Sequence, residues 1–191
     1  MADPRAGEAL LDVGTGTGAL LRELSRRPGP PRRAVGVDSS ARMLAAAGHL
    51  SPGWKLVEAD ARSLPFDDDS FDVVTAAYLL HVLDHGDRNR VLEEIARVLR
   101  PAGRLVTVTP ALPRAPVGRA LLRPVAAMAE RSSGLASGLR ALNPSDEIGR
   151  HLTVRRTRWV NRGYPSMCVL AGAPDFSRCG RGPETPSGPT G

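Results

Sequence analysis

The apolar residues in the first half of the chain form short runs that are bounded by glycine, proline or charged residues. Runs that are apolar at successive positions are typical of strands buried on both faces of a parallel sheet. Their separation is that of successive β-α units. The pattern predicts strands over 10–13, 34–38, 54–61 and 71–77, and therefore an α/β fold.

A helix is predicted after the fourth strand, because apolar residues recur there at helical spacing. The segment runs from Val91 to Arg100, and its apolar face is expected to bury against the sheet. Pro101 and Gly103 then end the helix, and a fifth strand is predicted over 104–108. We interpret these residues as core and helix end rather than as chemistry.

The composition changes after residue 110. Prolines, arginines and scattered apolar residues over 110–145 predict an amphipathic helix that bends near Pro124. An ordinary helix packed on the sheet is favoured over a membrane-surface helix, because the apolar stripe is short and irregular. Two further strands are predicted over 151–160 and 166–171. The stretch 174–191 is rich in Gly, Pro, Ser and Thr and is predicted to be a disordered tail.

Length and charge narrow the class of protein. A chain of 191 residues can bury one sizeable core and leaves little for a second, so a single domain is predicted. The net charge of +6 rests on 26 basic residues, of which only Lys55 is a lysine. This excess of arginine over lysine is typical of coding bias in a GC-rich genome. Aromatic residues make up only 4% of the sequence, so a nucleic-acid partner is not expected. A solvated edge is the expected place for Arg155, Arg156, Arg158 and Arg162.

The two cysteines, Cys168 and Cys179, lack the spacing of a zinc site or a disulfide framework, so no metal is predicted. Cys168 falls in an apolar run and is expected to be inert. The sequence shows no N-terminal targeting signal and no apolar stretch long enough to span a bilayer. We therefore expect a cytoplasmic protein without stable membrane insertion.

The pattern that carries chemistry lies at the end of the first strand, where Gly14, Gly16 and Gly18 alternate with threonines. Glycine permits a sharp strand-to-helix turn and lets the backbone approach a nucleotide-like ligand closely. Asp38 follows the second strand, where an acid can accept both hydroxyls of a ribose. Asp60 follows the third, where an acid can meet the amino group of an adenine. Each acid alone is equally explained as a helix cap, but the three motifs in register predict an adenosine-bearing cofactor.

In order and spacing these motifs resemble the class I S-adenosylmethionine-dependent methyltransferases, over residues 8–173. Leu10–Gly18 resembles the first motif of that family, Gly36–Leu44 its ribose-binding acid and next helix, and Glu58–Phe66 its adenine-binding segment. The resemblance implies a Rossmann-like, doubly wound, mostly parallel seven-stranded sheet with an antiparallel last strand, and one domain over 1–173.

The same resemblance implies S-adenosyl-L-methionine as cofactor and a set of site residues. Segment 110–145 is then a candidate wall of the acceptor pocket, although an ordinary packed helix is favoured. The residues expected to contact the cofactor are Asp12, Gly14, Thr15, Gly16, Gly18, Asp38, Ser39, Met43, Asp60, Ala61, Tyr78 and Leu79.

Methyl transfer to a small acceptor is the activity that the resemblance implies, and the subgroup that includes quinone-biosynthesis methyltransferases favours a hydrophobic one. Positioning supplies most of the rate of such a displacement. Where the acceptor must lose a proton, His81 is the candidate base and His85 the second. The alternative is that His81 is a histidine satisfied within a strand-to-helix loop, without a catalytic role.

Three other functions stay open at this point. A nicotinamide dinucleotide enzyme also uses glycines and an acid, but it does not call for the Asp60 segment. A noncatalytic cofactor-binding subunit would bind the cofactor without transferring its methyl group. The basic charge is compatible with an RNA or protein methyltransferase, which salt-sensitive binding to nucleic acid would indicate.

The first predicted strand begins about eight residues after Met1, whereas members of the resembled family usually carry one or two earlier helices that close over the cofactor. This difference leaves three expectations: a start that lies upstream, an open cofactor cleft, or a cover supplied by a homo-oligomer or a partner subunit.

Overall fold

The computed structural model describes residues 3–111, 141–162 and 164–172. These residues form a sheet with the strand order β3-β2-β1-β4-β5-β7-β6. The strands are β1 Ala9–Val13, β2 Arg33–Asp38, β3 Lys55–Glu58, β4 Phe71–Ala77, β5 Leu99–Pro110, β6 Thr153–Arg162 and β7 Tyr164–Gly172.

The sheet is mostly parallel. Strand β1 pairs in parallel with β2 and β4, and the β2–β3 and β4–β5 pairs are parallel as well. Strand β7 runs antiparallel to both β5 and β6. The predicted α/β class, the seven strands and the antiparallel last strand are all confirmed.

The helices that flank these strands are α1 Ala19–Ser25, α2 Ala41–Ala45, α3 His85–Val98 and α4 Ser145–Ile148, with a 3-10 turn at Leu80–Val82. Helix α3 buries the apolar stripe predicted for it against the central strands, together with Phe71 and Leu11. No helix of the described part of the chain is long and apolar enough to cross a membrane.

The end of α3 differs from the sequence prediction. The helix stops at Val98 rather than at Arg100, because Leu99 is extended and pairs with Phe71, and because Pro101 disfavours the helical conformation at Arg100. The expected turn at 101–103 is an irregularity within β5. Phe71 pairs with Leu99, whereas two residues further along β4 the partner is already Arg104. The extra residues of β5 therefore lie outside the ladder with β4, and regular pairing resumes at Arg104.

Two other strand predictions need correction in their bounds. Strand β3 covers only Lys55–Glu58 of the predicted 54–61, because the Asp60 side chain accepts a hydrogen bond from the backbone N–H of Arg62 and turns the chain. Strand β6 has the predicted length but begins and ends two residues later than predicted, and strand β7 is longer than predicted, so the two strands almost meet at residue 163.

The edge expected for the arginine cluster is confirmed, since β6 is the last strand of the sheet and Arg155, Arg156 and Arg158 are exposed on it. Cys168 lies in β7, where burial raises the pKa of its thiol. A raised thiol pKa lowers the thiolate fraction, which agrees with the expected inertness.

Some predictions lie outside the described residues. They are the helix near Pro124, the tail over 174–191 and the environment of Cys179. The domain extent 1–173 therefore stays a prediction.

Candidate functional site

The turn between β1 and α1 is held against the end of β2 by backbone hydrogen bonds. The N–H groups of Gly14 and Thr15 both donate to the carbonyl oxygen of Val37, at 2.8 and 2.9 Å. Gly14, Gly16 and Gly18 have φ angles of 72°, 55° and 70°, which other L residues adopt at a cost. The three glycines are therefore required by the backbone path itself, as the sequence predicted.

Asp38 closes this turn from the other side. Its Oδ2 atom accepts a hydrogen bond from the N–H of Gly16 at 2.8 Å, and its Oδ1 atom accepts one from the N–H of Ser40 at 2.9 Å. An ionised carboxylate offers about four acceptor positions. Each oxygen of Asp38 therefore keeps a lone pair for a further donor, which is what a ribose diol requires.

Asp12 lies beneath the turn rather than in the open pocket. It is 2% exposed, and its two oxygens accept hydrogen bonds from the hydroxyls of Thr15 and Thr75, both at 2.7 Å. Burial raises the pKa of Asp12 to about 6, although the two hydroxyl hydrogen bonds oppose the shift. Asp12 thus joins the turn to β4 through the two threonines, while its predicted contact with the cofactor stays a prediction.

A pocket of about 260 Å³ opens at the carboxyl ends of the parallel strands, where α/β sheets bind ligands. Half of its lining was predicted from the sequence: Gly14, Asp38, Ser39, Asp60, Ala61 and Leu79. The other half was not assigned to the site: Val37, Ala59, Arg62, Leu83, Asp87 and Val91. Val91 had been interpreted as core, and it is both fully buried and part of the pocket wall.

Arg62 is the most connected of the residues that the sequence did not point to. Its guanidinium donates to both oxygens of Asp60, with a shortest distance of 2.6 Å from Nη2 to Oδ2. The Nη1 atom donates to both oxygens of Asp87, at 3.1 and 3.2 Å. The hydrogen bonds from Arg62 lower the pKa of Asp60 and keep its carboxyl ionised.

The remaining predicted contacts lie around this pocket and do not line it. The methyl group of Met43 lies close to Gly16, and Gly18 begins helix α1 near Ala47 and Leu50. Thr15 points inward, towards Gly36 on β2 and Asp12. These residues shape the turn beside the pocket, and their predicted contacts with the cofactor stay predictions.

Tyr78 is predicted to contact the cofactor mostly through its backbone, and that contact stays a prediction, while its side chain is directed towards β7. It has a φ of 56° directly after β4, while its N–H still donates to the carbonyl of Val108 at 2.7 Å. Its hydroxyl lies 3.1 Å from Oγ of Ser166 on β7. The ring therefore stands beside the pocket, on the side of β5 and β7.

His81 lies in the 3-10 turn after β4 and is only 4% exposed. Its ring meets the ring of Tyr78 edge to face, with centroids 6.1 Å apart. His85 lies at the start of α3, where Nδ1 is 2.9 Å from Oε1 of Glu147. The two histidines therefore occupy different settings, and only His81 adjoins the exposed aromatic ring beside the pocket.

No group of three or more metal-binding side chains occurs among the residues that the structure describes. The charged groups at the pocket are carboxylates and one guanidinium, arranged along its wall. The carboxylates can accept hydrogen bonds from the hydroxyls and the amino group of a nucleoside.

The chain is similar to known proteins in sequence and in fold. The methyltransferase domain family matches residues 11–107. The ubiquinone/menaquinone biosynthesis C-methyltransferase UbiE of Hahella chejuensis is 39% identical over 119 residues, which cover 59% of this chain and 47% of that protein. The demethylmenaquinone methyltransferase of Thermotoga maritima is 42% identical over 99 residues, which cover 52% of this chain and 42% of that protein. The chain thus spans less than half the length of these relatives.

Among solved structures, a chain from the complex between the Haloferax volcanii Trm112 methyltransferase activator and a methyltransferase superposes with a TM-score of 0.73. The identity is 21%, and the match covers 91% of this chain and 85% of that chain. At this identity the likeness concerns the fold alone. The sequence motifs, the strand order and the family match agree, and the chain belongs to the methyltransferase domain family, as the resemblance to class I S-adenosylmethionine-dependent methyltransferases predicted.

Proposed function

We propose that this chain binds S-adenosylmethionine in the pocket beside the glycine turn and transfers its methyl group to a small hydrophobic acceptor of the quinol type. One observation carries the proposal. Asp38 joins the turn to α2 through Gly16 and Ser40 and keeps a lone pair on each oxygen at the pocket wall. This is the arrangement that a ribose diol next to a glycine-rich turn requires.

The pocket residues divide between the parts of the cofactor. Asp38 accepts the ribose hydroxyls, and Asp60 with Ala61 meets the adenine. The methionine portion lies along Gly14, where a Cβ atom would approach Leu79 to 3.1 Å, so the glycine keeps this passage open. Ser39 lines the pocket and, with Met43, flanks the nucleoside.

The bound cofactor supplies a methyl group on a sulfonium, which is an excellent leaving group. The chain's task is to hold the acceptor in line with the methyl–sulfur bond. As the acceptor's bond to the methyl group forms and the methyl–sulfur bond breaks, the acceptor loses one proton. His81 is the proposed base for that proton, because it lies at the carboxyl end of β4 beside the pocket.

The acceptor is proposed to be hydrophobic on two grounds. Tyr78, whose ring contacts that of His81, is 52% exposed, and Val82, the residue after His81, is 44% exposed, so two large apolar side chains are available to an acceptor close to the proposed base. The relatives described above are named for methyl transfer in quinone biosynthesis. A reduced quinone ring fits this surface, since it offers an apolar ring together with phenolic protons.

Calorimetric titration tests the cofactor part of the proposal. Wild-type protein is titrated with S-adenosylmethionine, S-adenosylhomocysteine and NAD. We expect the two adenosyl ligands to bind at about micromolar Kd and NAD to bind at least about a hundredfold more weakly. Binding of NAD alone would contradict the proposal.

The acceptor part is tested separately with cofactor labelled on its methyl group. Label is expected in a demethylated quinol and absent from bulk RNA and from acidic peptides. A His81→Gln variant should retain the Kd for S-adenosylhomocysteine and lose most of the turnover, by about a hundredfold, if the histidine takes the proton. Unchanged turnover in that variant would remove His81 from the mechanism.

A further inference from the structure

Arg62 bridges two separate walls of the proposed cofactor pocket. Asp60 belongs to the loop that follows β3, and Asp87 belongs to the first turn of α3. Asp60, Arg62 and Asp87 all line the pocket. The guanidinium contacts both carboxylates at once, with distances of 2.6 Å to Asp60 and 3.1 Å to Asp87.

The contacts fix the direction of the Asp60 carboxylate. Its Oδ1 atom accepts from the backbone N–H of Arg62 at 2.8 Å and from Nε at 3.0 Å. Its Oδ2 atom accepts from Nε at 3.0 Å and from Nη2 at 2.6 Å. Three donors thus hold a group that has about four acceptor positions, and one position remains for a ligand.

The same contacts occupy the donors of Arg62. Nε and Nη2 are directed at Asp60, and Nη1 is directed at Asp87. The planar fork of arginine suits this bidentate geometry, which a lysine would not reproduce. Asp87 itself is held by Asp84, whose side chain accepts from the backbone N–H of Asp87 at 2.8 Å. All three side-chain nitrogens of Arg62 are therefore engaged with carboxylates.

We propose that Arg62 is a positioning residue that makes the pocket selective for a six-amino purine over a six-oxo purine. The proposal rests on the proposed function, because it assigns the remaining acceptor position of Asp60 to the adenine amino group. An ionised carboxylate accepts hydrogen bonds and cannot donate one. It therefore attracts the amino group of adenine and repels the carbonyl oxygen of hypoxanthine.

Asp87 contributes to the same selectivity by occupying Nη1. If Asp87 were absent, Nη1 would be free to donate a hydrogen bond to a six-oxo group at the pocket wall. If Arg62 were absent, Asp60 would lose its fixed direction, since its side chain is exposed enough to rotate. Both changes lower the selectivity for the amino group, although they act on different sides of the ion-pair network.

The test measures Kd for S-adenosylhomocysteine and for S-inosylhomocysteine, its six-oxo counterpart, on the full chain. The readout is the ratio of the two values. We expect Arg62→Ala to weaken S-adenosylhomocysteine binding about tenfold and to change S-inosylhomocysteine binding less than about twofold. Asp87→Ala is expected to strengthen S-inosylhomocysteine binding about threefold to tenfold through the freed Nη1.

A matched control removes an arginine from an ion pair away from the pocket. Arg26 lies 3.8 Å from Glu23 on the exposed face of α1, so Arg26→Ala should leave both Kd values unchanged. A double-mutant cycle adds the specific readout, because Arg62→Ala should not weaken S-adenosylhomocysteine binding further in an Asp60→Ala background, where no carboxylate remains to be positioned. Thermal unfolding of each variant verifies that it is folded.

The outcomes separate this proposal from the proposed function. If wild-type protein binds neither nucleoside ligand, the proposed function fails. If wild-type protein prefers the adenine ligand and Arg62→Ala leaves the ratio unchanged, the positioning role is overturned while the proposed function stands. Equal weakening of both ligands by Arg62→Ala would also overturn it, because such a result indicates a change of pocket shape rather than of purine selectivity.

Discussion

The Oδ2 atom of Asp38 accepts a 2.8 Å hydrogen bond from the backbone N–H of Gly16, which ties the end of β2 to the middle of the glycine turn. The other oxygen holds the N–H of Ser40 at the start of α2. One carboxylate therefore organises two backbone segments and still faces the pocket. A change at this residue is expected to alter the shape of the turn and the ribose contact together.

The first prediction concerns Asp38→Ala. We expect S-adenosylhomocysteine to bind at least about a hundredfold more weakly, because the charge-assisted hydrogen bonds to the turn and to the ribose are lost together. Asp38→Asn keeps one acceptor and should lose less affinity. Titration calorimetry measures both, with Glu23→Ala on the exposed face of α1 as the control. A folded Asp38→Ala variant with wild-type Kd would refute the assignment.

The second prediction separates backbone strain from pocket shape at Gly14. Gly14 and Gly53 have φ angles of 72° and 83°, so Gly→Ala at either position should cost about 1–2 kcal/mol in the free energy of unfolding. Only at Gly14 would the new Cβ meet a neighbour, at 3.1 Å from Leu79, whereas Gly53 has nothing within 4 Å. We expect Gly14→Ala to lose ligand binding and Gly53→Ala to retain it.

Urea unfolding and titration calorimetry on the two glycine variants make this comparison directly. Adding Leu79→Ala to Gly14→Ala should recover part of the ligand affinity but none of the strain in φ. Equal ligand binding by Gly14→Ala and Gly53→Ala would show that the passage beside Leu79 does not matter to the ligand.

The strands and the glycine turn could be predicted because their signals are local. An apolar run that ends in Gly14 or Asp38 predicts both a strand and the position of its carboxyl end. Parallel pairing then brings these carboxyl ends to one edge of the sheet. The end of α3 is predicted two residues too late, because the helical spacing of apolar residues continues to Leu99, whereas that residue pairs with the distant Phe71 and Pro101 disfavours a helical Arg100.

The network of Arg62 could not be predicted in the same way. Its two partners are 2 and 25 residues away along the chain, and the second contact depends on where α3 begins relative to the sheet. A helix start rich in acids at a pocket, with Asp84 and Asp87, is the signal that would have pointed to it. The contact between Tyr78 and Ser166 could not be predicted for a similar reason, since Ser166 lies on the antiparallel strand β7.

The third prediction concerns the ion pair that joins α3 to α4. Arg88 donates from Nε and Nη2 to the two oxygens of Glu147, at 2.6 and 3.1 Å, and both side chains are about 15% exposed. We expect Arg88→Ala to lower the free energy of unfolding by about 2 kcal/mol, because it leaves a mostly buried carboxylate with His85 as its remaining partner.

The pH dependence of that loss follows from Glu147. Burial acts to raise the pKa of Glu147, but the hydrogen bonds from Arg88 and His85 outweigh it and hold the pKa below 4.5. A lowered native pKa means that the stabilisation is present above pH 4.5 and is lost as the pH falls through the native value. Urea unfolding should therefore show a large difference between wild type and Arg88→Ala at neutral pH, and this difference should shrink as the pH falls through the lowered native pKa of Glu147. The exposed pair broken by Arg26→Ala should show almost no difference at either pH.

The fourth prediction runs in the opposite direction with pH, because burial raises the native pKa of Asp12 from 3.8 to about 6. The native protein then binds the Asp12 proton more tightly than the unfolded chain does, so the protein loses stability as the pH rises from about 4 to about 6.

The Asp12→Asn variant tests this prediction, because it removes the titration while its amide can still form hydrogen bonds with the hydroxyls of Thr15 and Thr75. Relative to Asp12→Asn, wild type should lose up to about 3 kcal/mol of unfolding free energy between about pH 3 and pH 7. Thr75→Val removes a hydrogen bond that lowers the Asp12 pKa, so it should extend the loss to higher pH. If the unfolding free energies of wild type and Asp12→Asn depended on pH in the same way, Asp12 would have the same pKa in the native and the unfolded state. The raised native pKa of Asp12 would then be wrong.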